Sequence, residues 1–337
     1  MDLIDVTLRD GGFTCDFDWP IKFARNYYKD ISPHVKYVEL GYWGQTVKSN
    51  GPFYDLDIDF VKTATGNAEK NNVSVMIDYH YCSKVFTDYP KKNSQKEIGL
   101  IRLCSRKEDV KDAANFLQHL KSYTGLKVSL NIFNVTNYTQ QELRAVEVTV
   151  AGYKFDYVYF ADTHGNLNLN DPDCNMPMFR RIADACRAKM GLHFHNHLGL
   201  ALSNYLYCKQ LSLSEQSRFG ETANISDVSL GGLGKGGGNL KTEDVMALKE
   251  DDFITPLLFK DFIYKYPDLF KLRENSYERI TAKAGITDNY AAAIRRVLKG
   301  KLRAISLFYV FCTYSVSGVD RDVFNKRLFD KHFPEGR

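Results

Sequence analysis

Little in this sequence is out of balance. Its 337 residues carry 45 Lys and Arg against 41 Asp and Glu, a net charge of only +4. The basic residues are scattered rather than striped, so there is no nucleic-acid footprint. The densest basic run, Lys299, Lys301 and Arg303, reads as a solvated helix end. No apolar stretch approaches the roughly 18 residues that a membrane span needs. The opening MDLIDVTLRD carries acids where a secretory leader has positive charge followed by an apolar run. A cytoplasmic protein is expected. The seven cysteines (15, 82, 104, 174, 186, 208 and 312) never fall as CxxC. They read as reduced thiols, with neither a disulfide frame nor a structural zinc. Internal repeats and low-complexity tracts are missing too. What remains is a chain 44% hydrophobic and 26% charged, suited to a large buried core.

Short apolar runs rich in β-branched and aromatic residues recur at 3–8, 35–40, 73–79, 99–104, 127–133, 155–161, 191–196 and 225–230. Amphipathic charged segments such as 107–123 separate them, with apolar positions at helical spacing. Eight strands alternating with helices predict an α/β fold, a (β/α)8 TIM barrel. An open doubly wound sheet is the runner-up. It would need a GxGxxG turn after the first strand, and RDGGFTCDFDWP offers only a glycine pair. Beyond residue 250 the pattern is helical and aromatic-rich, with no strand signal before Ser306–Phe311. The expected division is a catalytic barrel over 1–250 and a helical appendage over 251–337.

Chemistry in such a barrel sits at the C-terminal ends of the strands. Strand 1 leads to Arg9 and Asp10, strand 2 to Glu39 with Tyr42 just past it, and strand 3 to Asp78 and His80. Strand 4 contains Arg102, strand 5 Asn131, strand 6 ends in Asp162, Thr163 and His164, and strand 7 carries His193, His195 and His197. Alternation along a strand turns His193 and His195 to one face, where they can chelate one ion. A pair of hydrogen-bonded core histidines is the bland explanation. The carboxylate of Asp10 on a facing strand tips the balance toward a facial site for a divalent ion. Arg9 then reads as a fixed cation over the substrate oxygen. The glycine-rich GGLGKGGGN after strand 8 admits a flexible connection, a mobile lid, or a nest for an anion in which Lys235 takes part.

Together, DVTLRDGG (5–12), HFHNHLGLALSN (193–204) and GGLGKGGGNLKTEDV (231–245) resemble the TIM-barrel metal-dependent carbon–carbon lyases and synthases, the hydroxymethylglutaryl-CoA lyase-like superfamily. The resemblance covers roughly 1–250, and the strand-8 loop is most similar to that of the 4-hydroxy-2-oxovalerate aldolases. It implies that Asp10, His193 and His195 bind Mn2+ or Mg2+, with Asn239 as an additional ligand, and that Arg9 stabilises an enolate. The CoA-thioester lyases of this superfamily carry a cysteine in the strand-8 loop, where this chain has Lys235 and Gly236. The synthases usually have Glu-Gln where it reads Gly12-Phe13. The aldolases place a histidine, their base, at Phe13.

The activity implied is divalent-metal-dependent aldol chemistry, cleaving or joining pyruvate enolate and an aldehyde. Arg9, Glu39, Tyr42 and His164 are the candidate catalytic residues, with His164 first in line for the missing base and His80 and Tyr42 in reserve. Arg102, Asn131, Thr163 and Lys235 are candidates for holding the 2-oxo acid. Two other functions stay open: Claisen-type chemistry between an acyl-CoA and a 2-oxo acid, and an inactive metal-binding barrel serving as a scaffold subunit. The appendage is the expected contact for a second copy of the chain or for a partner dehydrogenase.

Overall fold

The computed structural model describes residues 1–47, 51–213, 223–248, 254–270, 276–298 and 303–334. Eight parallel strands form the centre: β1 (Asp2–Asp5), β2 (Tyr37–Tyr42), β3 (Val73–Asp78), β4 (Ile98–Ser105), β5 (Lys127–Ile132), β6 (Tyr157–Asp162), β7 (Lys189–Phe194) and β8 (Ile225–Val228). They pair in sequence order and close, β1 meeting β8 in the register Asp2↔Ile225 to Asp5↔Val228. This is the TIM barrel, and the open sheet is excluded. β2 and β4 are buried along their whole length, as parallel strands covered on both faces must be. The helix Val110–Thr124 shows how the connections are specified. Val110, Ala113, Ala114, Leu117 and Leu120 make its buried stripe, and Gly125 ends it in the left-handed region.

One element near the site differs from expectation. The strand anticipated over 3–8 ends at Asp5, and Thr7–Asp10 is a helical turn. The Asp5 carboxylate accepts from the Thr7 N–H at 3.1 Å, and the Asp10 N–H closes back on the Val6 carbonyl at 2.7 Å. These bonds pull the chain out of the ladder and swing Arg9 and Asp10 over the barrel mouth. The strand signal at Ser306–Phe311 is also helical, inside Arg303–Tyr314. There Phe308, Phe311 and Cys312 are buried at helical spacing.

Ile4, Val6, Tyr37, Leu100, Tyr157, Tyr159 and Ile225 fill the inside of the barrel toward its N-terminal end. A second, larger cluster lies between strands and surrounding helices. It takes in Phe259 and Phe262 of the helix Ile254–Lys265, whose Phe262, with neighbouring Tyr266 and Phe270, meets Phe23 edge-on. That helix lies beyond the expected division at 250 yet packs as part of the barrel's outer layer. A separate cluster from Tyr277 to Phe333 belongs to the helices that follow. Lys299 and Lys301 lie outside the described residues. No helix among the described residues is long and apolar enough to cross a membrane.

Asp5 makes the barrel's stability depend on pH. Its carboxylate also accepts from Tyr27 Oη at 2.7 Å and Thr242 Oγ1 at 3.0 Å. Complete burial nevertheless raises its pKa from 3.8 to about 6. Between these values the folded chain keeps a proton that the unfolded chain has lost, so stability falls as pH rises. At roughly 1.4 kcal/mol per pKa unit, the loss is on the order of 3 kcal/mol. Asp5→Asn is expected to flatten the fall in urea-unfolding free energy between pH 4 and 7 by about that amount. The slope is the readout, because the substitution also moves the absolute stability. An unchanged slope would remove Asp5 from the account.

Candidate metal centre

Asp10, His193 and His195 come together at the C-terminal mouth, their ligand atoms all within 4.8 Å of one another and all three side chains buried. β7 delivers the two imidazoles. His195, one residue past the strand, is fixed by a lone bridge to Asn239 in the loop after β8. Each imidazole is oriented from behind. His193 Nδ1 meets Asp227 Oδ2 at 2.9 Å, leaving Nε2 to face Asp10 Oδ2 at 3.7 Å. His195 Nδ1 meets His197 Nε2 at 3.1 Å, which likewise frees its Nε2. Burial, reinforced by His193 and His197, pushes the pKa of His195 well below the ordinary histidine value. A neutral ring offering one nitrogen lone pair is what a metal requires.

Asn239 supplies an independent test of fit. Its amide nitrogen donates to Asp10 Oδ2 and to the Leu233 carbonyl, while its buried Oδ1 has no hydrogen-bond partner. An orphaned buried oxygen is costly unless something else satisfies it. Two imidazoles, a carboxylate and an amide oxygen are a donor set suited to a divalent cation. The residues present therefore fit a divalent ion.

Behind this group runs a closed circuit of charges. Asp10 Oδ1 pairs with Arg9 Nη1 at 2.5 Å, and Arg9 Nε with Glu39 Oε1 at 2.6 Å. Glu39 Oε2 takes Arg102 Nη1 at 3.0 Å, and Arg102 Nη2 takes Asp227 Oδ2 at 2.7 Å. His193 then returns the circuit to Asp10. Three carboxylates face two guanidiniums, so with a neutral His193 one negative charge is left over. The fully buried Arg102 also lies 4.2 Å from the centre of the Tyr159 ring. The sequence located most of these residues singly but missed Asp227. An acid midway along a buried parallel strand was the signal, since such a charge must be paired.

The glycine-rich loop is a fitted cover. Cβ atoms on Gly236 and Gly237 would come within 2.8 Å of His197, and one on Gly234 within 2.5 Å of the Asn239 amide. Gly236 also has φ +62°, which disfavours other residues. Lys235 Nζ is paired with Asp288 Oδ1 at 2.9 Å, a residue supplied by the C-terminal helices.

A cavity of about 220 Å³ opens over the centre. Arg9, Asp10, Tyr42, Arg102, Asn131, Thr163, His193, His195 and Lys235 all line it, bringing most of the predicted set together. Asn131 satisfies both neighbours when its oxygen faces Arg102 Nη2 at 2.8 Å and its nitrogen faces Ser129 Oγ at 2.7 Å. Two candidates lie elsewhere. Glu39 is sealed behind the wall as the link between Arg9 and Arg102. His164 is not on the cavity surface. The Asp162–Gly165 turn buries it, and its Nε2 meets Asn137 at 3.0 Å and Asp322 Oδ1 at 3.2 Å. His80 pairs at the surface with Asp109, at 3.6 Å. Asp78, from the end of β3, and Arg106, just past β4, do line the cavity. So do Thr287, Asn289, Asp322 and Val323 of the C-terminal helices.

The HMGL-like family model matches residues 1–264. Over 253 residues the chain is 31% identical to a 4-hydroxy-2-oxovalerate aldolase of Geobacillus genomosp. 3, covering 73% of this chain and 69% of that protein. Over 249 residues it is 22% identical to an oxaloacetate decarboxylase of Mycobacterium tuberculosis, covering 73% and 68%. In fold it superposes on the carboxyl transferase domain of Rhizobium etli pyruvate carboxylase, solved with 3-bromopyruvate, with a TM-score of 0.68 at 13% identity. That likeness spans 99% of this chain and 60% of the solved one.

Proposed function

The chain belongs to the HMGL-like family of lyases and aldolases, and we propose that it catalyses divalent-metal-dependent aldol cleavage, or the reverse addition, through a pyruvate enolate. The observation that carries this reading is the buried Asp10–His193–His195 set with Arg9 locked beside it. When bound, Mn2+ or Mg2+ would supply Lewis acidity to a 2-oxo acid. The protein's own groups account for the rest. Arg9 Nε and Nη1 are held by Glu39 and Asp10, which leaves Nη2 to stabilise oxyanion charge as it develops. Asn131 and Thr163 add polar groups to the cavity wall.

The base is Asp78 in this reading. It lines the cavity, and burial raises its pKa above the usual aspartate value, which makes its carboxylate a stronger proton acceptor. It takes the proton of the 4-hydroxyl. The C3–C4 bond breaks, its electron pair becomes the enolate, and protonation at C3 releases pyruvate. Phe13, 40% exposed and set edge-on against Phe17 and Tyr42, gives the cavity an apolar wall where the aldolases carry their histidine. That wall favours a second reading, decarboxylation of a 2-oxo acid with a 3-carboxylate, because losing CO2 needs no base at a hydroxyl. The Claisen alternative fits less well, since about 220 Å³ is small for a thioester with its coenzyme arm.

Enolisation is the test common to both readings. With Mg2+ present, the protein is expected to exchange the methyl protons of pyruvate for deuterium in heavy water, read by proton NMR, and to stop when the metal is chelated. No exchange above the buffer rate would point to the scaffold role instead. Product analysis then separates cleavage from decarboxylation.

A further inference from the structure

Five cations line the cavity: Arg9, Arg102, Arg106, Lys107 and Lys235. Four have carboxylate partners. Arg9 is held by Asp10 and Glu39, Arg102 by Glu39 and Asp227, Lys107 by Glu142, and Lys235 by Asp288. Arg106 is paired with no carboxylate among the described residues. It is half-buried and rests on the Tyr81 ring, 5.2 Å from its centre. Asp78 and Glu108 are close enough to act on it electrostatically, but neither forms an ion pair with it. A half-buried guanidinium held by the Tyr81 side chain, with no carboxylate partner among the described residues, is poised in a cavity wall to receive an anion.

Its place in the barrel says which part of a substrate that would be. The metal set comes from the chain after β1, from β7 and from the loop after β8, whereas Arg106 follows β4. In a ring of eight strands β4 stands opposite β8, so the cavity runs from the metal set on one side to Arg106 on the other. The same wall carries apolar side chains: Phe13 from the chain after β1, and Met76 of β3 and Phe133 just past β5, whose strands flank β4.

We propose that Arg106 binds a second carboxylate on the substrate, so that the carbonyl fragment released with pyruvate is itself a carboxylate-bearing aldehyde or ketone. This rests on the aldol reading above and specifies its substrate class. The geometry agrees with the chemistry at C4. The hydroxyl that must lose its proton faces Asp78, and the carboxylate on the same carbon faces its neighbour Arg106. The placement also bears on decarboxylation. A carboxylate held by a guanidinium is stabilised as the anion and does not readily depart as neutral CO2, whereas the cleavage of C3–C4 leaves its charge intact.

Two five-carbon 2-oxo acids that differ only at C5 provide the test: 2-oxoglutarate, with a carboxylate there, and 2-oxovalerate, with a methyl. Their binding to the Mn2+-loaded protein would be measured by calorimetry. The wild-type chain is expected to prefer 2-oxoglutarate by at least about tenfold, the scale of one charge-assisted hydrogen bond at a partly exposed site. Arg106→Met should bring the ratio to about one, and Arg106→Lys should keep part of it. The ratio is informative because a folding defect lowers both affinities together. Equal binding by the wild type, or a preference that survives Arg106→Met, overturns the assignment of Arg106 and leaves the aldol reading standing. If neither acid binds the metal-loaded wild type, the aldol reading fails, and the assignment falls with it.

Discussion

Replacing His195 by alanine is expected to weaken Mn2+ binding by about a hundredfold or more. The reason lies in how the ligand atom is presented. His195 sits just beyond β7, where the bridge to Asn239 fixes its backbone and the bond to His197 fixes its ring. Removing the side chain deletes a preoriented ligand and takes from His197 Nε2 its partner. Removing only the outer partner, as in His197→Gln, should cost less, about 10- to 100-fold, the usual range for groups that orient a metal-binding histidine. Asp10→Ala should fall with His195→Ala. Equilibrium dialysis with Mn2+, alongside circular dichroism to confirm folding, ranks the three variants. Metal binding unchanged in both Asp10→Ala and His195→Ala would sink the assignment of this centre.

The ordering of these variants also marks what the sequence could and could not convey. His193 and His195 were legible as a same-face pair because strand alternation is local, and local geometry is written in consecutive residues. The eight strands were legible for the same reason, as runs bounded by polar helices. Partnerships between distant residues were not. Glu39 looked like a candidate catalytic acid at a strand end, and Arg102, 63 residues away, looked like a substrate contact, but their bond at 3.0 Å makes one charge the complement of the other. The surroundings of His164 were hidden in the same way: its side chain is buried on Asn137 and Asp322, the latter 158 residues away, and it is these two partners that line the cavity. The glycine-rich loop was readable as special, yet only the close approach to His197 shows that its glycines are required for fit. Arg106, just before the amphipathic segment 107–123, was not singled out in the sequence at all. Its meaning appears only once every other cation of the cavity has been matched with an acid.

Arg9 is where this network meets the chemistry, and Arg9→Ala carries the largest expected effect on rate. Burial disfavours the charge of Arg9, but Asp10 and Glu39 more than offset that and hold its pKa well above the ordinary arginine value. The guanidinium is therefore a permanent cation, locked by Glu39 at 2.6 Å and Asp10 at 2.5 Å before any substrate arrives. A donor fixed in advance stabilises developing charge without reorganising. Removing one such donor typically lowers the rate by about 10²- to 10³-fold. Arg9→Ala is thus expected to lose that much of the pyruvate exchange rate, with kcat falling far more than KM rises, because the charge it meets appears only on the way to the enolate. Mn2+ binding should survive, since removing a cation leaves Asp10 and Glu39 more negative. Arg9→Lys keeps the charge but loses the rigid fork that Asp10 and Glu39 grip together, so it should recover only part of the rate. Deuterium exchange by NMR, run at matched metal occupancy, measures all three proteins. Exchange by Arg9→Ala within a fewfold of wild type would mean that the enolate is stabilised without Arg9, and that its bonds to Asp10 and Glu39 serve only to neutralise buried acids.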